Sequence, residues 1–438
     1  MTSKTIFPLK VPRGIFTMLT ITLIAAGPAL SAQTETVIHS FPVSTGGVAT
    51  NSNLVRDAAG NFFCTTRTGG SMGYGSIVEL SPPAAGETAW TANIVHTFGV
   101  FATDGNYPSS YSLIVDSAGN LYGTTSHGGA FGAGTVFKLM PSSGGWTEKV
   151  LFSFQSTGTA PKYPGSNLIL DSAGNFYGVA GGGFYSNGSV YELSPRTSGG
   201  LTLKTLHSFG AFAKDGIEPD GLILDGAGNL YGTTYMGGAH TASNVGGTVF
   251  ELTPPAASGG NWIYSILHSF GAGPGLPSDG WDPIGGLVED GAGNLYGTSY
   301  NGGLYGGENT GGTVWEISPV AGGGWTETVL HNFSENQVDG FWPQANLTLD
   351  AAGNLYGTAQ AGGSDVDGKN YDLGVVFELS PPAAGATSWT ETILHSFGAG
   401  KDGQSPISTV IFDGASNLYG TTNAGGNLKG GTVWQVTP

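Results

Sequence analysis

Asp350-Ala-Ala-Gly-Asn-Leu-Tyr356 is one of seven copies of a single phrase, D-x-A-G-N-[LF]-[YF], and the number of copies decides the fold. The others begin at Asp57, Asp116, Asp171, Asp225, Asp290 and Asp413, the last with Ser416 in place of Gly. Their starts are 59, 55, 54, 65, 60 and 63 residues apart, room for four short strands each. A period of this size marks a repeat architecture. Within the phrase, Ala-Gly-Asn supplies residues that tolerate positive φ, as two strands reversing direction require.

Working outward in the fifth repeat, residues 286–290 and 294–299 flank the turn, followed by 312–318 and 325–333. We term these strands a, b, c and d. Each is short, carries β-branched or aromatic residues, and is bounded by Gly, Pro, Asn or Asp. No stretch beyond the first 32 residues keeps a helical period. The expected fold is all-β: a seven-bladed β-propeller with four antiparallel strands per blade.

The ends of the repeat region argue for a closed ring. Glu35-Thr-Val-Ile-His-Ser-Phe41 reads as a strand d with no a, b or c before it, and residues 432–437 read as a strand c with no d after it. The N-terminal strand 35–41 is therefore expected to complete blade seven beside the C-terminal strands and to cover an exposed edge. The blades fall at about 42–98, 99–154, 155–209, 210–270, 271–333, 334–397, and 398–438 plus 33–41. An open solenoid would need capping repeats instead.

The runs G-N-L-Y-G-T-T-x-x-G-G, G-G-T-V-[FW]-E-[LI]-[ST]-P and W-T-E-T-[VI]-L-H-[SN]-F resemble the GloVer tandem repeat of bacterial choice-of-anchor exported proteins. The resemblance spans the whole of 33–438 and implies a secreted or surface protein. Many such proteins end in a sorting segment; here residue 438 directly follows strand c, so no C-terminal anchor is expected. The D-x-A-G-N-L-Y core is also similar to turns of NHL, two-component-regulator and streptogramin-lyase propellers, a likeness of fold rather than chemistry.

Residues 1–32 differ in kind. Lys4, Lys10 and Arg13 precede an apolar run that ends in Pro28-Ala-Leu-Ser-Ala32, the layout of a secretory signal peptide. No Cys follows, so no lipid anchor is expected, and no later segment is apolar enough to span a bilayer. The net charge of −17 drops to about −20 once the three basic residues of that segment are removed. That argues against nucleic acid and anionic lipid as partners. Gly (77) and Pro (23) recur at fixed repeat positions, so they punctuate turns and do not signal disorder. The single cysteine, Cys64, stands where the other repeats carry Gly, as a buried small residue. A monomer is expected.

In this strand order the b–c and d–a connections share one face. They vary between repeats while the a–b turn does not, so a ligand is expected there. Residues before the Gly-Gly of the b–c loop form a ring of unlike side chains: Arg67, His127, Tyr235, Tyr300, Gln360 and Asn423, with Ala180 and Gly181 in the third repeat. Trp281 and Trp342 join them from the d–a loops. Tyrosine and amide groups around a shallow mouth suit sugar recognition. The Asp-Gly-x-x-Pro of those loops (Asp104, Asp215, Asp279, Asp339, Asp402) reads first as turn chemistry and second as metal ligation.

His39, His96, His207, His268, His331 and His395 share one place in strand d, held by Phe152 in the second repeat. Their recurrence on the outermost strand reads as framework, like that of Glu327, Glu391 and the strand d tryptophans. His127 and His240 alone break that pattern, and His127 would need a nearby acid or metal to act as a base. No other cofactor is expected, but one loop offers oxygen ligands for Ca²⁺: Asp365, Asp367, Asn370 and Asp372, without the closing Glu of an EF-hand. The expected function is an extracytoplasmic, non-catalytic binding propeller for a glycan or protein. A lyase or carbohydrate-active enzyme using the same face is the alternative, and a structural envelope component a second.

Overall fold

The computed structural model describes residues 33–42, 52–109, 111, 113–240, 246–257, 259–271, 279–305, 311–334, 339–363, 373–398 and 401–437. The expected signal peptide 1–32 and the Asp365–Asp372 loop lie outside them. Residues 33–438 form one compact unit. Among the described residues no helix is long and apolar enough to cross a membrane.

Seven antiparallel sheets make up a seven-bladed propeller. The fourth shows the pattern: Gly216–Leu224, Leu230–Gly237, Thr248–Thr253 and Ile263–Ser269 pair in that order. Ring closure is as expected. Thr34–Pro42 pairs antiparallel with Lys429–Thr437, placing Val37 opposite Trp434 and Ser40 opposite Thr432. Blade seven is also tied to blade one, where the Thr421 hydroxyl donates to the Ser52 carbonyl (3.0 Å) and the Asn53 side chain accepts from the Thr409 N–H (2.8 Å).

The repeated phrase is a self-sufficient turn. Asp116 Oδ1 accepts the backbone N–H of Ala118 and Asn120 (both 2.9 Å), and Oδ2 takes the Asn120 amide (2.7 Å) and the Tyr122 hydroxyl (3.0 Å). Burial works to raise the Asp116 pKa, but these donors outweigh it and hold the carboxyl below its ordinary value. The aspartate is thus consumed by the fold.

The core lies between blades. Leu222, Leu230, Phe250 and Leu252 of blade four pack against Tyr177, Val179, Val190 and Phe209 of blade three. The glycine of strand b makes room for the partner ring on strand c. A Cβ on Gly297 would come within 2.4 Å of the Trp315 ring, and one on Gly420 within 2.3 Å of Trp434. Cys64 is fully buried in the same place, and its strand c partner is Val78 instead of an aromatic residue. The extra sulfur and the smaller partner offset each other.

A second device stitches neighbouring blades on the loop face. Each Asp-Gly-x-x-Pro proline, and Pro164 at the same place in the third repeat, packs onto a b–c glycine of the preceding blade. Pro164 lies over Gly134 and Pro343 over Gly312, where an added Cβ would meet the ring at 2.7 and 2.6 Å. The residue before each of these prolines takes positive φ: Tyr107 (57°), Tyr163 (54°), Glu218 (58°), Asp282 (57°), Trp342 (61°) and Ser405 (54°). That conformation is unusual for non-glycine residues and is compensated by its surroundings. Each such N–H donates to a b–c carbonyl of the blade before, from Tyr107 to Tyr74 (2.8 Å) and from Trp342 to Gly311 (3.0 Å), for example.

Candidate functional site

This stitching turns the six pre-proline residues into a fixed frame that displays a different side chain at each blade. They meet the expected b–c ring from one blade to the next. Tyr163 of blade three packs on His127 of blade two (ring centroids 5.2 Å), and Tyr107 meets the same imidazole edge-on (5.7 Å). Trp342 of blade six stacks on Tyr300 of blade five (5.7 Å, 17° between planes). The Tyr300 hydroxyl reaches the Gln360 carbonyl oxygen (3.5 Å), which also accepts from Gln344. Tyr235 hydrogen-bonds Asp282, whose carboxylate also takes the Asn301 amide (3.0 Å). Burial chiefly pushes the Asp282 pKa up to about 6.

The ring breaks at blade three, where Ala180 and Gly181 carry no large side chain. Two adjoining depressions sit at the break. One, of about 310 Å³, is lined by Arg67, Tyr107, Tyr111, Ser126, Tyr163 and Asp220 among others. The second, of about 270 Å³, is lined by Ala180, Gly181, Asn187, Glu218 and Pro219. Pro219 and Gly165 belong to both. Tyr111 bonds the Ile407 carbonyl of blade seven (3.4 Å). Burial and the neighbouring Asp220 raise its pKa.

Every aromatic side chain found exposed in the described chain lies on the same face. Tyr74, Phe131, Phe184, Tyr185 and Tyr305 are in b–c loops, and Phe101, Tyr163 and Phe212 are in d–a segments.

Trp281 departs from the expectation. It is 2% exposed and lies under Gly302, because the first x of Asp-Gly-x-x-Pro joins the sheet, here opposite Asn301. Tyr235, Tyr300, Gln360 and Trp342 are half-buried in the ring, away from the two depressions. Asn423 is half-buried near the end of strand b of blade seven. His127 is exposed, with Ser126 Oγ at 3.0 Å from Nδ1. Among the described residues no carboxylate lies within hydrogen-bond reach of it.

The strand d histidines take part in contacts between blades. They do not converge with one another, but five of them, all except His39, meet the Asp-Gly aspartate and a strand d residue of the next blade. His96 Nε2 faces Asp104 (3.6 Å) and Glu148 (4.0 Å), and His331 faces Asp339 (3.5 Å) and Glu391 (3.7 Å). His395 faces Asp402 (3.0 Å) beside Glu35 of the N-terminal strand. His268 faces Asp279 (3.5 Å) near Glu327. Burial first and the neighbouring aspartate second push Glu148 up to about 7 and Glu391 up to about 9. The signal was present in the sequence: the chain carries Glu only at junctions that hold both His and Asp. At the junction of blades two and three all three are replaced together, by Phe152, Ala160 and Leu203.

Comparison with known proteins bears on the frame. The model of a family described as Gloeobacter/Verrucomicrobia repeat matches residues 28–243 and 164–387. No curated protein matches. Among solved structures, an ulvanlyase from a polysaccharide lyase family is 11% identical, with a TM-score of 0.56 over 91% of this chain and 95% of that one. The same enzyme family bound to a glucuronate–sulfated rhamnose fragment gives 10% and 0.54 over 91% and 95%. The puromycin-hydrolyzing peptidase of Mycobacterium tuberculosis gives 9% and 0.50 over 87% and 53%. Likeness at these identities shows the propeller fold and nothing finer.

Proposed function

The chain belongs to the Gloeobacter/Verrucomicrobia repeat family, and from that premise we propose an exported binding propeller that holds a glycan on its b–c and d–a face without transforming it. One observation carries this reading: all exposed aromatic side chains of the described chain lie on that face, which also holds the two joined depressions, one of them lined by Tyr163. Aromatic faces stack on the apolar side of sugar rings while Arg67, Asp220 and the serines supply directional hydrogen bonds. The opposite face is built from turns whose aspartates are already satisfied internally.

A glycan panel screened against the purified protein tests this. Tyr163→Ala should weaken binding of any hit by about 0.5–1.5 kcal/mol beyond the area lost, and His207→Ala, on the outer strand, should leave it unchanged. The reading fails if the outer histidine matters and the tyrosine does not. A protein ligand in place of a glycan would overturn the substrate class alone.

A second reading, elimination on an acidic glycan, draws on Arg67, Tyr107 and Tyr163 lining one depression, with His127 packed against both tyrosines. The arginine would neutralise a uronate carboxyl, and a basic side chain would take the proton beside it. Ultraviolet absorbance of an unsaturated product on incubation with uronate-containing polysaccharides distinguishes this from binding alone.

A further inference from the structure

We propose that the His–Asp–Glu clusters between blades are binding sites for a divalent first-row metal cation of the Zn²⁺ type, one ion per cluster. They lie at the outer edge of the ring, beneath the d–a loops and away from the two depressions, and stand independently of that reading.

The site between blades one and two gives the geometry. Asp104 has a side chain with no solvent exposure. Its Oδ2 accepts the Val100 N–H (3.1 Å), which leaves Oδ1 turned to the cluster. His96 Nε2, Asp104 Oδ1 and Glu148 Oε1 are all shielded from solvent, and none has a hydrogen-bond partner outside the cluster. Three such atoms pointing at each other cost free energy unless something lies between them. The separations of 3.6 and 4.0 Å from the imidazole are too long for charge-assisted hydrogen bonds, which run at about 2.7–2.9 Å. Ligand atoms each about 2.0–2.2 Å from a shared ion sit roughly 3.0–3.5 Å apart, so a small inward movement closes the set.

The same three residue types bring their donor atoms within 4.8 Å of one another at His331–Asp339–Glu391 and Glu35–His395–Asp402. One imidazole nitrogen and two carboxylate oxygens favour a borderline cation over Ca²⁺, which prefers oxygen alone. Each imidazole is held edge-on against the phenylalanine two residues later, His96 on Phe98 at 4.6 Å and His331 on Phe333 at 4.6 Å, which fixes the ring's orientation. A depression lined by His96, Phe101, Asp104, Trp146 and Glu148 adjoins the first site and offers an entry path.

Variation within the chain links the three residues, the carboxylates most closely: where the first repeat lacks the Asp, Ala92 also replaces the Glu, while His39 is kept. At the junction of blades two and three they are exchanged together for Phe152, Ala160 and Leu203. Where Tyr264 replaces the glutamate, His207 pairs with Asp215 (3.2 Å) and the tyrosine ring lies flat on the imidazole (centroids 3.8 Å, 6°). A lost third ligand is thus replaced by a plug.

The test is metal counting. The protein, stripped with a chelator, is titrated with ZnCl₂ by calorimetry, with CaCl₂ and MgCl₂ as comparators, and its metal content is then measured after dialysis. Three to four equivalents of Zn²⁺ are expected, the fourth at His268–Asp279–Glu327, together with a raised melting temperature. The triple variant His96→Phe, Asp104→Ala, Glu148→Leu copies the native apolar junction and should fold with one equivalent fewer. Glu391→Gln, in a separate chain, should also lose one. Absence of bound Zn²⁺ in the stripped parent, or an unchanged count in both variants, overturns the proposal and leaves the carboxylates held by shared protons.

Discussion

Two junctions of the same ring, one blade apart, solve one packing problem in opposite ways. Between blades one and two the gap beneath the loops is closed by His96, Asp104 and Glu148; between blades two and three it is closed by Phe152, Ala160 and Leu203. The spacing from strand d to loop is the same in both. Since the apolar set serves the fold, the polar set is not there because the fold demands it. Burying three ionisable groups costs more than burying three apolar ones unless they are paired.

The contrast can be broken by mixing the two junctions. Leu203→Glu alone would place a carboxylate opposite Phe152 and Ala160 with nothing to pair it. It should cost about 3–5 kcal/mol, read from urea unfolding. A variant as stable as the parent would show that this junction is open to water and that the contrast is one of exposure.

The same rule, that residues exchange in sets, has a smaller case on strand b. Cys64 faces Val78 where glycine faces an aromatic ring elsewhere. Cys64→Gly should open a small cavity and cost about 1 kcal/mol, and adding Val78→Phe should restore it. Additive losses in the double variant would refute the exchange. Burial pushes the Cys64 thiol up to about 12, so it stays protonated and unreactive throughout such measurements.

Asp282 sharpens the comparison with the smallest effect, as a buried carboxylate given amide and phenol donors but no imidazole. Its folded pKa of about 6 lies above the ordinary 3.8. A carboxyl that holds its proton more tightly when folded contributes stability fully below about pH 4 and loses it as pH rises through 6. Asp282→Asn should therefore gain on the parent between about pH 4 and pH 7, by on the order of 1 kcal/mol. Parallel melting curves for the two proteins across that range would contradict it.

The seven turns, the strand order and the ring closure were legible because they rest on local chemistry repeated seven times, and repetition filters out accident. The loop ring was legible in part. Arg67 and His127 could be assigned to a face from strand order alone, whereas the burial of Trp281 depends on which x of Asp-Gly-x-x-Pro enters the sheet. The pre-proline positions at positive φ left no trace in residue type: Tyr, Glu, Asp, Trp and Ser all occupy them, since the hydrogen bond to the previous blade fixes the backbone whatever the side chain. The clusters between blades were hidden by reading each column of the repeat singly. Histidine, aspartate and glutamate columns each look like framework, and only their joint absence at one junction shows that they belong together.

The pairing of Val37 with Trp434 has a consequence in time. The two partners are separated by nearly the whole repeat region, so the first strand to be synthesised must wait, unpaired, until the last strand exists. Six blades can assemble from neighbours in sequence, but the seventh cannot form in a chain that stops short. It also draws Glu35 beside His395 and Asp402 only at that moment. Blade seven thereby works as a check on completeness: a truncated product keeps an open sheet edge and an unfinished cluster, both of which mark it for aggregation or proteolysis before it can be mistaken for the finished ring.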